Sequence, residues 1–192
     1  MAFVGLRKLV YAKLLTDPLG GPATYEEVKP FAKAITANVE TATNTATNYA
    51  DNRPVKVVTQ IGETTLTLTS DELSQEVLSD ILGMELKKGV VIYKQTAKAP
   101  YVALGFIGDK DDDTEQVVWL TKGKFSVPST NINTKTDSPE FQNPEITGTF
   151  IGRDADEVFK IVGDTADEAF ATYRPTFFDQ VFDPAVLDAP TV

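Results

Sequence analysis

The sequence predicts a mainly β fold: a sandwich or barrel with one flanking α-helix, at about residues 69–83, and extended arms. Three observations predict it. Between Pro100 and Arg153 the runs PYVALGFIGD, QVVWLTKGKFSVPS and TKTDSPEFQNPEITGTFIGR alternate apolar and polar residues, and short charged or proline-bearing turns separate them, as in a strand meander. The chain holds 24 Thr, many in alternation as in Thr65-Leu66-Thr67-Leu68-Thr69, and Thr and Val suit a pleated, half-buried surface. One stretch alone carries a long helical stripe, which makes it a helix laid over a β core.

The first strand runs from Val4 to Leu15. Val4, Leu6, Val10, Ala12 and Leu14 share its core face with Lys8 as the exception, while Arg7, Tyr11 and Lys13 share the solvent face. Asp17-Pro18-Leu19-Gly20-Gly21-Pro22 reads as a loop. From Phe31 to Asn48 the residues are small and polar, so the stretch cannot bury much by itself. It is either a mobile loop or an extended hairpin arm ordered on a neighbouring subunit. The alternation of Thr41, Thr43, Thr45 and Thr47 suits a strand whose partner is elsewhere.

Val55 to Ser70 forms a long strand with Ile61, Leu66 and Leu68 as apolar contacts. Thr69 and Glu72 then have capping-box spacing, and Asp71 and Glu72 sit where the helix dipole favours negative charge. Leu73, Val77 and Ile81 with Leu78 and Leu82 form the apolar stripe, and Gly83 stops the helix. In the meander, Val117, Trp119, Gly123, Phe125 and Val127 share one face, and Lys122, Lys124 and Ser126 the other. Ile146 and Phe150 point one way, Thr147 and Thr149 the other. Thr165 and Glu168 repeat the capping-box spacing before a short helix through Ala169, Phe170 and Tyr173 that ends near Pro175. The tail after Tyr173 is rich in Phe and Asp, and it either docks across the body or reaches another subunit.

With 0 Cys and 0 His in 192 residues, thiol nucleophiles, disulfides, His-based metal sites and a Ser-His-Asp triad are excluded. Acid–base work is left to Asp, Glu, Lys or Tyr, and no convergent pair marks a hydrolase. No cofactor or metal is expected. The net charge of −10 argues against nucleic-acid binding, which draws on Lys and Arg. No stretch approaches membrane-spanning length and the start lacks a signal-peptide layout, so a soluble, cytoplasmically made protein is expected. Asp109, Asp111 and Asp113 imitate odd-numbered calcium ligands, but Thr114 stands where Gly is needed and Leu120 where the closing Glu belongs; an acidic hairpin turn is the better reading. Trp119 reads as core. A β-sandwich carbohydrate-binding or adhesion module is the alternative function, although a single Trp makes a poor sugar platform.

The segments VGLRKLVYAKLL, AITANVETATNTATNYADNRP, APYVALGF, VWLTKGKF and TKTDSPEFQNPEITGTFIGR, in this order, resemble the major tail proteins (tail tube proteins) of long-tailed phages infecting Gram-positive bacteria. The resemblance covers most of residues 1–152 and fades beyond. It implies a β-sandwich or barrel of the phage tail tube type, spanning 1–192 as one domain, with an intersubunit arm at about 36–60 and a C-terminal extension at about 173–192. It also implies a structural virion protein and not an enzyme, made in the host cytoplasm and assembled as stacked hexameric rings into a tube that conducts DNA. Its partners would be copies of itself and the initiator, tape measure and terminator proteins, with DNA passing unbound and no membrane contact. By this analogy Thr41, Thr43, Asn44, Thr47, Asn48, Tyr49, Asp51 and Arg53 belong to the main intersubunit arm, and Thr136, Asp137 and Phe141 to a second contact loop at residues 134–144. The acidic side chains either line the lumen, repelling phosphates, or sit on the outer surface.

Overall fold

A computed structural model describes residues 2–50, 53–129, 134 and 143–188. The described chain is mostly strand with one α-helix. In chain order come β1 (Phe3–Thr16), β2 (Thr24–Tyr25), β3 (Lys29–Ala32), β4 (Ala34–Ala50), β5 (Arg53–Ser70), α1 (Gln75–Leu82), β6 (Glu85–Lys87) and β7 (Val90–Ile92). β8 (Val102–Lys110), β9 (Glu115–Phe125), β10 (Glu145–Ile151) and β11 (Lys160–Asp164) follow, and three short 3₁₀ turns end the described chain. The main sheet runs β2-β1-β8-β9-β10-β5-β4, with β3 paired to β1 and β11 to β9; β6 and β7 form a separate hairpin. All pairings are antiparallel. The sheet curls without closing: β3 lies on β1 and leads across Lys33 into β4, which lies on β5 at the far end of the path.

Two apolar clusters lie on opposite sides of β1, β8 and β9. The first is enclosed by the curl under α1 and contains Leu9, Tyr11, Phe31, Leu66, Leu68, Ile81, Leu104, Leu120, Phe125, Ile146 and Phe150. The second lies outside, where Val10, Ala12, Ile107, Val117 and Trp119 are covered by Phe177, Phe178, Val181 and Phe182 of the tail. Of the two fates open to the tail, the described part takes the first and docks across the body. Trp119 is fully buried and its Nε1 donates to the Phe177 carbonyl at 2.9 Å, which settles it as core. Gly105 is needed beside it, because a Cβ there would sit 2.9 Å from both the Trp119 and Phe178 rings.

Burial on two sides overturns the single core face expected of β1. Lys8 has φ 53°, and the pairing steps from Arg7↔Ile107 to Val10↔Gly105, so two β1 residues oppose one on β8. Beyond this bulge Leu9 and Tyr11 enter the first cluster and Val10 and Ala12 the second, which places Tyr11 in the core and not in solvent. A second irregularity corrects β9. Val102↔Gly123 is followed by Leu104↔Leu120, so an extra β9 residue near Thr121 and Lys122 reverses the alternation. Trp119 and Phe125 therefore fall in different clusters. The reversal sits where β9 changes neighbours, from β11 up to Leu120 to β10 from Lys122.

Helix α1 begins later than the capping-box spacing predicts. Thr69 is still strand, paired with Thr36 on one side and Glu145 on the other, so its backbone is committed to the sheet. The cap is Ser74, whose Oγ accepts from the Val77 N–H at 3.3 Å. Gly83 ends the helix in the left-handed region at φ 64°. Val77, Ile81 and Leu82 are buried as the stripe predicts. Asp80 fastens the helix to β1 and β3: it accepts from Lys13 Nζ at 2.8 Å, Tyr11 Oη at 3.0 Å and Lys29 Nζ at 3.0 Å. In the C-terminal region, Asp167 and not Thr165 caps the first 3₁₀ turn, Glu168–Thr172. Thr165 Oγ1 instead accepts from the Glu115 N–H at 2.7 Å.

Candidate assembly surfaces

Two of the features that expose apolar side chains are the arm formed by β4 with β5 and the free N-terminal half of β1; the β6–β7 hairpin, with Leu86, Val90 and Ile92, is another. The strand partner expected elsewhere for the Thr alternation is instead β5 of the same chain: β4 pairs with it from Ala34↔Ser70 to Ala50↔Arg53. The base of this hairpin belongs to the body, where Leu66, Leu68 and Thr64 are fully buried. From Thr41 on β4 and Ile61 on β5 outward, the described side chains are exposed. This corrects Ile61, expected to be a core contact and found 60% exposed.

The arm has two distinct faces. The pairing passes from Thr41↔Thr64 to Thr43↔Ile61, so two steps on β4 match three on β5, and the additional residue lies at Gly62-Glu63. Gly62 suits the site because a Cβ there would press on Ala42 Cβ at 3.3 Å. The consequence is phase. Ala37, Val39 and Thr41 lie opposite Leu68, Leu66 and Thr64 on the core-facing side; beyond the bulge Thr43, Thr45 and Thr47 continue that side opposite Ile61, Thr59 and Val57. The outer arm therefore extends the core face of the sheet as a wholly β-branched surface, with Val57 59% exposed. Its other face carries Asn44, Ala46 and Asn48 opposite Gln60, Val58 and Lys56.

The proposed interface residues divide accordingly. Thr41, Thr43 and Thr47 lie on the β-branched face, Asn44 and Asn48 on the amide-bearing face, and Tyr49 and Arg53 are exposed near the tip. Asp51, Thr136, Asp137 and Phe141 lie outside the described residues. Sequence reasoning missed Val57 and Val58, both exposed, because an alternating Val-rich run reads as core; Gly62 was the signal of a change in the pleat.

The second feature is a groove of about 440 Å³ between the start of β1 and the start of β4. Val4, Leu6, Ile35 and Val39 line its walls, and Phe106 and Val118 lie between them. Val4 is 68% exposed. Among the described residues, β1 has no strand partner from Phe3 to Lys8 on the side away from β8, and β4 none on the side away from β5.

Ion pairs tie loops and α1 to the sheet away from the arm. Lys122 is buried against Asp17 (2.7 Å) and Asp154 (2.9 Å), and Asp17 also accepts from the N–H groups of Asp154 (2.8 Å) and Ala155 (3.0 Å). Burial opposes the charge on Asp17, but Lys122 and these two N–H groups outweigh it and lower its pKa. Burial likewise opposes charge on Asp80, and its bonds from Lys13, Lys29 and Tyr11 together hold it below the usual carboxylate range. The Tyr11 hydroxyl is pushed up, by burial first and by Asp80 second. Glu115 bridges Arg7 and Arg174, which lower its pKa against the cost of burial. In the acidic β8–β9 turn Asp112 accepts from the Thr114 N–H and hydroxyl, at 3.2 and 2.6 Å, as turn chemistry requires. Among the described residues no group of three or more Asp and Glu is placed to hold a metal.

A family model described as phage tail tube protein matches residues 31–188, well over half of the chain and past the point where the resemblance fades. No curated protein matches. Among solved structures, the cryo-EM structure of the anti-feeding prophage cap (a tube terminating cap) is 10% identical, with a TM-score of 0.48, covering 81% of this chain and 87% of that one.

Proposed function

The chain belongs to the phage tail tube protein family, and from that premise we propose that it polymerises as stacked hexameric rings into the hollow tube of a phage tail, with the β4–β5 arm as its intersubunit contact. Membership in the family makes it a structural component of the virion tail. The observation that carries the finer reading is the phase of the arm: an exposed β-branched surface continuous with the core face is unfinished packing, and a neighbouring subunit would complete it. Residues 36–60 act as the arm in this reading, and residues 173–192 as an extension of one tube domain.

Thr41, Thr43 and Thr47 are the contacts on the packing face, with Asn44, Asn48, Tyr49 and Arg53 around them; Asp51, Thr136, Asp137 and Phe141 stay in the proposal from the resemblance alone. The subunit is made in the cytoplasm of the host, a Gram-positive bacterium on the same resemblance, and meets the initiator, tape measure and terminator proteins there. The net charge of −10 keeps the wall from adhering to DNA phosphates as the duplex passes.

Electron microscopy with light scattering at rising protein concentration tests this. Rings or tubes from the wild type, and a folded monomer from a variant whose arm between Thr41 and Ile61 is replaced by a short turn, are the expected results. A wild type that stays monomeric at every concentration, or an arm-deleted variant that still assembles, refutes it.

A further inference from the structure

We infer that the β6–β7 hairpin of one copy seats the acidic β8–β9 turn of the next copy. The inference rests on the assembly reading above and uses surfaces other than the arm. In a chain of net charge −10, residues 84–108 hold Lys87, Lys88, Lys94 and Lys98 against Glu85 alone. Glu85 pairs with Lys87 and, at 2.7 Å, with Lys94, while Lys88 and Lys98 meet no acid among the described residues. Val90 and Ile92 are exposed beside Lys87 on one face of the hairpin. A partner for this surface must be acidic, with an apolar group beside its charges.

The β8–β9 turn meets both requirements. Asp111, Asp112 and Asp113 are exposed at its tip and, among the described residues, none of them is paired with a cation; Lys110 is drawn back to Asp164. The exposed Phe3 lies next to them, since it pairs with Lys110. Both surfaces are preformed. Lys88 at φ 49° and Gly89 at φ 81° close the hairpin as a two-residue turn of the type I′ sense, and Asp112 fixes the acidic turn through Thr114. Little ordering entropy is therefore lost on contact.

The same molecule cannot make the contact. The turn follows Lys110, opposite Phe3, whereas the hairpin precedes Val102, opposite Lys13, and the Lys98 carbonyl lies back against Gly83 at the end of α1. The 9 residues of β8 set the two apart by roughly 27 Å at about 3.3 Å per residue. A seat at one end of the strands and its occupant at the other make the contact heterologous and open-ended, so copies add along the strand direction. The arm points to the turn end: β5 sets Thr64 opposite Phe150, β10 sets Phe150 opposite Gly123, and the arm continues past Thr64 in the direction of Glu115. Arm and turn thus reach toward the same neighbour.

Charge exchange tests this, read as the concentration needed for assembly in light scattering and electron microscopy. Lys88→Glu with Lys98→Glu reverses the seat, and Asp111→Lys with Asp113→Lys reverses the occupant. Each pair alone is expected to raise that concentration by at least about tenfold, with the circular dichroism spectrum of the wild type. The chain carrying all four changes, and an equimolar mixture of the two reversed variants, are expected to assemble close to the wild-type concentration. Added sodium chloride should raise the wild-type value, since exposed pairs are screened, and this reading stands even where a reversed turn fails to fold. Tubes that form from either reversed variant as readily as from the wild type overturn the inference and leave the tube role standing. A seat reversal that leaves assembly unchanged but abolishes a gel shift of a duplex oligonucleotide overturns it in favour of DNA. A wild type that never assembles removes the tube role, and the contact falls with it.

Discussion

Replacing Phe177 by Ala should release the C-terminal tail before the body unfolds. The Phe177 ring is stacked on Phe182 at 5.0 Å and meets Phe178 and Phe170 edge-on at 5.2 and 5.4 Å. It is 1% exposed, so truncation leaves a cavity bounded by rings that cannot collapse into it. A buried Phe→Ala change costs about 3–5 kcal/mol. Spread over a urea dependence of about 2 kcal/mol per molar, that lowers the midpoint of the affected unit by about 2 M. The affected unit is the tail with the Trp119 face it covers, because the first cluster on the other side of the sheet contains no tail residue.

Trp119 is the sole Trp and lies under the tail, so its fluorescence reports docking, while far-UV circular dichroism reports the strands. In the wild type the two urea curves should coincide. In Phe177→Ala the emission should move to longer wavelength at lower urea than the loss of dichroism. Curves that remain coincident, with a midpoint lowered by less than about 0.5 M, would refute the view that the tail is held mainly by this aromatic cluster.

Asp17→Asn should cost about 3 kcal/mol in a chemical denaturation series, since it leaves buried Lys122 with Asp154 alone; a loss under 1 kcal/mol, the upper range for surface pairs, would show the site to be well hydrated. Gly123→Ala should destabilise by about 3 kcal/mol or prevent folding, because the added Cβ would lie 2.3 Å from Phe150 Cδ1; a variant with wild-type melting behaviour contradicts the packing. The lowered pKa values of Asp17, Asp80 and Glu115 set the acid limit: their contribution is complete above about pH 5 and is lost as pH falls through the depressed folded-state values. Urea midpoints should hold from pH 7 to 5 and drop between pH 4 and 2, and a flat profile down to pH 2 would count against these pairs.

The β class, the meander and the helical stripe were legible because each rests on local period. Leu66 and Leu68, Ile146 and Phe150, and Val77 and Ile81 lie where alternation or helical spacing puts them. The errors fall where period is interrupted. Single extra residues near Lys8 and Thr121 reverse which face is buried; Lys8, a charge on the expected core face, marked the first break, and no such exception marked the second. The capping box at Thr69 failed because a central strand already held its backbone between two neighbours, and long-range pairing outweighs a local cap. In the arm, a Val-rich alternation means half-buried surface in general, and only the register with β4 reveals that the surface is exposed in the single chain. The tail was ambiguous for a related reason: clustered Phe residues signal burial without naming the surface they cover.

The cover over Trp119 also has an order in time. Phe177, Phe178 and Phe182 are later in the chain than every strand of the face they seal. During translation, at roughly 5–20 residues per second, β1, β8 and β9 leave the ribosome with this side still open to water and to other nascent chains. The interior side can close earlier, since its strands and α1 emerge first. Maturation of the subunit is therefore two-sided and sequential, and a polysome bearing many such chains carries a row of temporarily uncovered aromatic surfaces.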